Sequence, residues 1–329
     1  MKSILWLFVA LIGYVRLQGK EMTITTTDSV RLYVKVKGQG PYLLYVHGGP
    51  GSGSYWLEKF SGDFLERHFT MVYLDQRGTG RSTSPADGDY SMERMVEDFE
   101  QVRSVLHIDR WLTLGHSFGG ILQMGYVERV PDAIEGMIML NCTLCIEDSF
   151  ENGWFHRTRE LLGKSRCAFL KNDSLSDMEK LAIAAGKLEE KELRWKIFYA
   201  SPESDAEMNR SFQEIPDFNN DFSGEFRSFP EYFRDYRPAT AGVEIPVLFF
   251  YGKTDWSVGP RHYRKVRFPN MILWGSDVGH MPFLENGEDM QKAILAFLEK
   301  NGLSDRRYPL GHCPFDRPTN MHCPKPLSA

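Results

Sequence analysis

Residues 115–120 read Gly-His-Ser-Phe-Gly-Gly, a pattern that could place a serine nucleophile on a sharp turn. An apolar run, 111–114, precedes this segment, and a helical pattern, 121–129, follows it. Glycines flank the serine in such a strand-to-helix elbow because a Cβ there would clash with the strand or the helix. The segment therefore predicts Ser117 as a nucleophile, and it predicts the N–H of Phe118 as one donor to an oxyanion.

A serine hydroxyl attacks a carbonyl efficiently when a base takes its proton, and that base needs an acid to hold its tautomer. Asp255 follows the apolar run 247–251, and His280 follows the run 271–274. Both side chains are therefore expected where core strands end, with His280 as the base and Asp255 as the acid. The rivals for these two roles are three other histidines and one other aspartate: His47, His116, His262 and Asp277.

Two further loops follow short apolar runs. The first, 47–51, reads His-Gly-Gly-Pro-Gly, and its glycines would let the backbone approach a substrate closely. The N–H of Gly49 is the candidate for the second oxyanion donor. The second loop, 75–82, reads Asp-Gln-Arg-Gly-Thr-Gly-Arg-Ser and is interpreted as architectural. Its Ser82 lies outside any elbow and is not predicted to be a nucleophile.

Several elements must position these side chains. Apolar or β-rich runs predict strands at 22–27, 30–36, 42–46, 69–74, 111–114, 136–140, 247–251 and 271–274. Helical patterns lie between them at 92–106, 121–130 and 290–300. This alternation predicts an α/β protein with a mostly parallel, doubly wound sheet. The alternation stops between Cys142 and Thr240, which predicts a helical cap at 142–240, inserted into a core made of 21–141 and 241–301.

The loops 47–51 and 75–82, together with the elbow 115–120, resemble the prolyl aminopeptidase (proline iminopeptidase) family of α/β-hydrolases. The resemblance extends over roughly residues 22–301 and is weakest in the cap. It implies the α/β-hydrolase fold with an inserted helical cap and a Ser-Asp-His triad. It also implies an enzyme that removes N-terminal proline from peptides. The leading hypothesis from the sequence is a cofactor-free serine hydrolase that acts as an aminopeptidase on short peptides.

Family members that cleave proline hold the ammonium of the substrate with cap carboxylates, often in a Glu-Asn-x-x-Phe-like segment. In the nearest segment, 206–212, the acid Glu207 is one residue out of step, and Phe118 stands where the peptidases commonly carry Trp or Tyr. Glu207 and Glu203 are the candidate substrate-binding residues. Because these departures concern the substrate, the alternative function is hydrolysis of a small ester, lactone or amide by the same triad. The complete triad disfavours a non-catalytic receptor.

The net charge of −5 does not indicate nucleic acid as a partner.

Residues 1–20 combine Lys2 with an apolar run, 4–15, which predicts a signal peptide or N-terminal anchor and therefore export to the periplasm or the medium. The run is too short for a comfortable membrane span. If translation starts at Met22, the protein is cytoplasmic instead. The sequence leaves the oligomeric state open.

The five cysteines leave the redox compartment open. Cys142 and Cys145 form a C-x-x-C, which is either a redox pair or two small apolar residues near a strand end. Cys313 and Cys323 lie in a Pro-containing tail, 302–329, and could close a loop as a disulfide in an oxidising compartment. The spacing of this tail matches no zinc-finger pattern, so no metal site is predicted.

Overall fold

The computed structural model describes residues 19–215 and 217–303. Its centre is an eight-stranded sheet. The strands are β1 (Lys20–Thr25), β2 (Arg31–Gly38), β3 (Tyr42–Val46), β4 (Thr70–Leu74), β5 (Trp111–His116), β6 (Ile134–Leu140), β7 (Val247–Gly252) and β8 (Met271–Ser276). Each strand falls on one of the runs from which a strand was predicted, and the ends agree within two residues.

The strand order across the sheet is β1-β2-β4-β3-β5-β6-β7-β8. Strands β3 to β8 pair in parallel, whereas β2 pairs antiparallel with both β1 and β4. The predicted mostly parallel sheet is therefore confirmed. Because parallel strands end at the same edge, the loops after β3, β5, β6, β7 and β8 meet at one edge of the sheet, where ligands bind in open α/β folds.

Helices cover both faces of this sheet. The α-helices of the described residues are α1 (Tyr55–His68), α2 (Met92–Val105), α3 (Gly119–Arg129), α4 (Ile146–Ser149), α5 (His156–Leu162), α6 (Asp177–Glu189), α7 (Trp195–Phe198), α8 (Pro202–Ser211), α9 (Asp221–Glu225), α10 (Pro282–Glu285) and α11 (Gly287–Lys300). Side chains of α1 and α11 pack with Leu43 and Tyr45, whereas those of α2 and α3 pack with Leu44 and Val46. Successive residues of β3 therefore face opposite cores, as a strand buried on both sides requires.

Helix α1 was not among the helices predicted from the sequence. Its middle carries Ser61 and Gly62, and glycine lowers helix propensity by about 1 kcal/mol relative to alanine. Both residues are buried against neighbouring elements, and a Cβ on Gly62 would lie 3.3 Å from the hydroxyl of Tyr73 in β4. Close packing on the sheet thus outweighs the weak local propensity.

The chain between β6 and β7 folds into short helices. Helix α4 continues through a π-helical stretch, Phe150–Phe155, into α5, and α6 begins with a capping box formed by Ser176 and Glu179. The 3₁₀ helices of this segment are Lys164–Lys171, Phe212–Glu214, Phe226–Ser228, Pro230–Phe233 and Pro238–Gly242. A small cluster of buried side chains belongs to the segment itself: Phe155, Leu162, Cys167, Leu170, Leu188 and Ile197. These helices occupy the range predicted as a cap, 142–240.

Two predictions concern residues outside the described range. The signal peptide or anchor falls largely on residues 1–18, and the pairing of Cys313 with Cys323 falls on residues 304–329. Export, and with it the alternative start at Met22, stays a prediction. Within the described ranges, no helix is both long and apolar enough to cross a membrane.

Candidate active site

Ser117 lies on a sharp turn between β5 and α3, with a φ of 54° in the left-handed region. The flanking glycines are required by space. A Cβ on Gly115 would lie 2.0 Å from the side-chain oxygen of Gln123, and a Cβ on Gly119 would lie 2.1 Å from the carbonyl oxygen of Val46. The Gly-x-Ser-x-Gly sequence therefore forms the strand-to-helix elbow that was predicted, at the carboxyl edge of the sheet.

Ser117, His280 and Asp255 form one hydrogen-bonded chain. Ser117 Oγ lies 2.9 Å from His280 Nε2, and His280 Nδ1 lies 3.0 Å from Asp255 Oδ2. All three residues are buried. Because an ionised carboxylate accepts hydrogen bonds and does not donate them, Nδ1 carries the imidazole hydrogen, and Nε2 is the acceptor for the serine hydroxyl. The structure thus brings together the three residues predicted as nucleophile, base and acid.

Four donors surround the carboxylate of Asp255. The N–H groups of Ser257 and Val258 donate to Oδ1 at 3.0 and 3.1 Å, and Asn141 Nδ2 donates to Oδ2 at 2.9 Å, beside His280. Burial favours the neutral acid, but the charge and hydrogen bond of His280, with these other donors, hold the pKa of Asp255 below its ordinary value. Asn141 is not among the residues predicted from the sequence. A polar residue directly after a buried strand is the signal that could have found it.

Backbone hydrogen bonds hold the loop that carries His280. The N–H of His280 donates to the carbonyl oxygen of Phe198 at 2.5 Å, and the N–H of Gly279 donates to Glu285 Oε2 at 2.7 Å. His116 Nε2 lies 2.8 Å from the carbonyl oxygen of His280. Burial lowers the pKa of His116 to about 3, so its ring is neutral and its Nε2–H donates to that carbonyl. His116, a rival for the base, therefore holds the base loop in place.

A short stretch of the inserted segment, 197–200, is bound to both loops of the triad. The N–H of Trp256, next to Asp255, donates to the carbonyl oxygen of Ile197 at 3.1 Å. The next carbonyl, that of Phe198, is the acceptor for the N–H of His280. The N–H of Ala200 donates to Glu285 Oε2 at 3.1 Å. We call 197–200 the cap strap, because it links the inserted helices to the loops of the acid and the base.

The glycine-rich loop 47–51 lies against the nucleophile. A Cβ on Gly48 would lie 2.7 Å from Ser117 Cβ and 2.5 Å from the carbonyl oxygen of the preceding residue. The N–H groups of Gly49 and Phe118 have no hydrogen-bond acceptor among residues 19–215 and 217–303. Free N–H groups on the two segments that meet at a serine nucleophile could donate to a tetrahedral oxyanion. The N-terminus of α3 directs the positive end of its helix dipole toward the same place, which would also favour a negative charge there.

The side chain of Phe118 packs into aromatic residues of the inserted segment. Its ring centroid lies 5.9 Å from that of Phe222, 5.8 Å from that of Phe226 and 5.2 Å from that of Tyr232, all in edge-to-face geometry. Phe118 is itself buried. The Phe118 ring therefore packs the elbow against the inserted segment between β6 and β7.

The remaining rivals have other partners. His47 Nε2 accepts a hydrogen bond from the N–H of Gln76 at 3.0 Å. His262 Nδ1 lies 3.0 Å from Asp148 Oδ2. Asp277 forms an ion pair with a lysine at the surface, where its side chain is 86% exposed. The geometry thus favours Asp255 and His280 over each rival.

The second predicted loop, 75–82, is held by ion pairs whose carboxylates are buried. Asp75 Oδ2 accepts a hydrogen bond from Arg81 Nε at 2.7 Å. The guanidinium of Arg77 is 1% exposed and donates at 2.7 Å to each oxygen of Asp98, so the pair is bidentate. These contacts agree with the interpretation of this loop as architectural.

The two cap acids predicted to bind substrate lie at the surface of α8. Glu203 is exposed, and Glu207 forms an ion pair with Arg210 one turn later. A different face of the same helix, about 200° away, carries Asp205 and Asn209. The latter two side chains line a cavity, and Glu203 and Glu207 do not.

This cavity, which we call the strap cavity, has a volume of about 440 Å³ and lies close to His280. Phe198 and Met281 belong to its wall, and they also flank His280, because Met281 follows it and the Phe198 ring lies 6.1 Å from its ring. The other lining residues are acidic, aromatic or polar, with one basic residue, Arg194: Glu189, Glu192, Arg194, Trp195, Tyr199, Asp205, Asn209 and Phe212.

Cys142 and Cys145 are free, buried thiols. Burial raises the pKa of both, which disfavours the thiolate that redox chemistry needs. Their environment therefore favours the interpretation as small apolar residues. In the part of the chain that the structure describes, no cluster of three or more His, Cys, Asp or Glu side chains could hold a metal ion.

A sequence profile described as the α/β hydrolase fold matches residues 41–287. The chain belongs to the α/β hydrolase family. The matched part of this hydrolase extends from the end of the turn before β3 to the start of α11, and it includes Ser117, Asp255 and His280. The fold class predicted from the sequence is therefore confirmed.

Curated relatives of this hydrolase match it over part of their length. A proline iminopeptidase of Neisseria meningitidis serogroup A is 36% identical over 107 residues, which are 32% of this chain and 34% of the relative. A putative carbamate hydrolase of Enterobacter cloacae is 29% identical over 101 residues, which are 31% of this chain and 37% of the relative. This hydrolase thus spans about a third of the length of these curated relatives.

Solved structures share the fold over nearly the whole described chain. A proline iminopeptidase-related protein from Thermus thermophilus has a TM-score of 0.70 at 22% identity, covering 88% of this chain and 99% of its own. A thermophilic esterase from Thermogutta terrifontis has a TM-score of 0.60 at 20% identity, covering 86% of this chain and 99% of its own. At these identities the likeness shows the fold alone.

Proposed function

We propose that this chain is a cofactor-free serine hydrolase and that it acts as an aminopeptidase on short peptides, with proline preferred at the N-terminus. The observation that carries the mechanism is the hydrogen-bonded chain from Ser117 through His280 to Asp255, at 2.9 and 3.0 Å. These distances are within the reach that a general base needs to take a proton.

In the proposed reaction, Ser117 Oγ attacks the substrate carbonyl while His280 Nε2 takes the hydroxyl proton. Asp255 keeps the proton on Nδ1 and stabilises the imidazolium that forms. The N–H groups of Gly49 and Phe118 hold the oxyanion. His280 then gives its proton to the leaving amine, and a water molecule, activated by His280 in the same way, releases the acyl group from Ser117.

The preference for a peptide with a free amine rests on the likeness to proline iminopeptidases and on the strap cavity. A desolvated ammonium needs a carboxylate partner. Asp205 lines the cavity and is half-buried, whereas Glu203 and Glu207 lie outside its wall. Asp205 is therefore a better candidate for the amine than the two acids predicted from the sequence.

The second candidate function is hydrolysis of a small ester, lactone or simple amide by the same triad. The observation that favours it is the ion pair between Glu207 and Arg210. Glu207 was predicted to bind the substrate amine, but its carboxylate is already paired with Arg210 at the surface. A neutral substrate would need no carboxylate in the cap.

The test compares a fluorogenic proline amide, its N-acetylated twin and a simple aryl ester, with wild type and Ser117→Ala. Cleavage of the free-amine substrate but not of its acetylated twin, abolished in Ser117→Ala, supports the aminopeptidase. Turnover of the ester alone through Ser117 supports the second candidate. Full activity of Ser117→Ala on every substrate would refute the serine hydrolase itself.

Amine binding is tested separately with Asp205→Asn and Glu207→Gln. If Asp205 binds the amine, its variant raises KM for the proline amide at least tenfold and leaves the aryl ester unaffected. Glu207→Gln is the matched control, because it also removes one carboxylate from α8, and it should change neither substrate. Equal behaviour of the two variants would contradict this part of the proposal.

A further inference from the structure

Asn141 lies between the strand that carries the nucleophile and the strand that carries the acid. It follows β6 directly, and β6 is flanked by β5 and β7 in the sheet. Its N–H donates to the carbonyl oxygen of Phe250 in β7 at 2.9 Å, and its φ is 48°. Asparagine tolerates this left-handed backbone better than most residues. Its side chain, 2% exposed, is thereby directed into the site instead of continuing the strand.

The side-chain amide of Asn141 bridges the acid and the loop of the base. Its Nδ2 donates to Asp255 Oδ2 at 2.9 Å and to the carbonyl oxygen of Gly279 at 2.7 Å. Both partners can only accept, so the amide nitrogen, and not its oxygen, must face them. The first partner is the same oxygen that accepts the hydrogen bond from His280 Nδ1.

We infer that Asn141 is a positioning residue, which fixes Asp255 and His280 relative to each other and acts without touching the substrate. The inference rests on the proposed Ser-His-Asp mechanism. One amide group holds the carboxylate oxygen of the acid and the peptide that precedes the base, so neither loop can move without breaking a buried hydrogen bond. With the N–H groups of Ser257 and Val258 on Oδ1, Asn141 also prevents the carboxylate from rotating.

Two substitutions separate this role from a purely structural one. Asn141→Asp has almost the same shape, but it turns an acceptor toward Asp255 Oδ2 and the Gly279 carbonyl and adds a second buried carboxylate near His280. Asn141→Gly removes both hydrogen bonds and keeps a residue that adopts positive φ without strain. The other titratable groups that face the acid and the base are His116, Glu285 and Cys142, and they are the same in every variant.

For Asn141→Asp, the acid limb of kcat/KM should move to higher pH by about one pH unit or more, because an added negative charge beside His280 stabilises the protonated imidazole. For Asn141→Gly, kcat should fall about ten- to a hundredfold, because the variant loses a hydrogen bond to a charged group. KM should change less than about threefold, because Asn141 does not touch the substrate. The substrate is an aryl ester, which requires the triad but no amine recognition.

The inference is overturned if Asn141→Asp keeps the wild-type acid limb, or if Asn141→Gly retains kcat within about threefold of wild type. If Asn141→Asp does not fold, as judged by circular dichroism, the kcat and KM of Asn141→Gly decide alone. Ser117→Ala is measured in parallel. Activity in Ser117→Ala would refute the proposed function, whereas an inactive Ser117→Ala with unaffected Asn141 variants would refute the positioning role alone.

Discussion

Replacement of Asp255 by asparagine is the sharpest test of the proposed triad, because the new side chain has the same size and one different atom. The carboxylate receives four hydrogen bonds: two from backbone N–H groups on Oδ1, and one each from Asn141 and His280 on Oδ2. An amide has one acceptor oxygen and one NH₂ group. No orientation of the amide in Asp255→Asn therefore satisfies all four donors.

In the more favourable orientation, the amide oxygen accepts from the two backbone N–H groups, because a backbone N–H can only donate, whereas the imidazole can change its tautomer. The NH₂ group then faces His280 Nδ1, which must become an acceptor, so the imidazole hydrogen moves to Nε2. A protonated Nε2 cannot take the proton of Ser117. A wrong tautomer of this kind costs about 10⁴ in kcat, or about 5.4 kcal/mol in the activation free energy.

The assay is steady-state hydrolysis of an aryl ester near neutral pH, with thermal unfolding as the check on folding. Asp277→Asn is the matched control, because Asp277 lies in the loop just before His280 and its side chain is 86% exposed. It should retain wild-type kcat. If folded Asp255→Asn retained kcat within about tenfold of wild type, the assigned acid would be wrong.

Three further results are expected around the site. In Gly48→Ala, the new Cβ would lie 2.5 Å from a carbonyl oxygen of the elbow, so the loop 47–51 must shift away from Ser117. We expect kcat to fall about a hundredfold, which is the effect of losing one oxyanion donor. Gly186→Ala is the control for folding and activity, because its Cβ would meet nothing within 4 Å. Arg77→Met should lower the free energy of unfolding by about 3–5 kcal/mol, because it leaves the buried carboxylate of Asp98 unpaired. The double variant Arg77→Met/Asp98→Leu should recover most of that loss, as measured by urea denaturation. Burial lowers the pKa of His47 to about 4, so between about pH 6.5 and pH 4 the unfolded chain binds a proton at His47 that the folded chain does not. The contribution of His47 to the free energy of unfolding should therefore fall by up to about 1.4 kcal/mol per pH unit on acidification, and a free energy of unfolding that rises from pH 7 to pH 5 would contradict this.

The sheet and the residues of the proposed triad were predictable because both depend on local patterns. Strands buried on both faces are continuous apolar runs, such as 42–46 and 247–251, and the functional residues of an α/β sheet follow such runs at their carboxyl ends. Ser117 also has its own signal, since the elbow excludes side chains at Gly115 and Gly119. Ser117, His280 and Asp255, which the structure joins in one hydrogen-bonded chain, could therefore be named before the distances between them were known.

The surroundings of the triad depend on contacts between distant segments. Asn141 donates to a carboxylate 114 residues away, and nothing near it in the sequence identifies that partner. The substrate-binding role of Glu203 and Glu207 stays a prediction, and it depends on such contacts as well. Glu207 and Asp205 are two positions apart on α8, and the rotation of this helix is set by the burial of Met208 and Ser211 against the core. A sequence with acids on both faces of a helix does not tell which face is turned inward.

The cap strap binds the inserted helices to the residues of the proposed triad. The backbone carbonyls of Ile197 and Phe198 accept hydrogen bonds from residues beside the acid and at the base, so the core alone would leave these N–H groups exposed to water. Under the proposed mechanism, activity should therefore require the inserted helices to be docked on the sheet. On heating, activity should disappear with the first loss of the cap helices, before the sheet melts. For the same reason, we expect that an inserted segment grafted from a relative would need carbonyl groups at the positions of Ile197 and Phe198 to restore these hydrogen bonds.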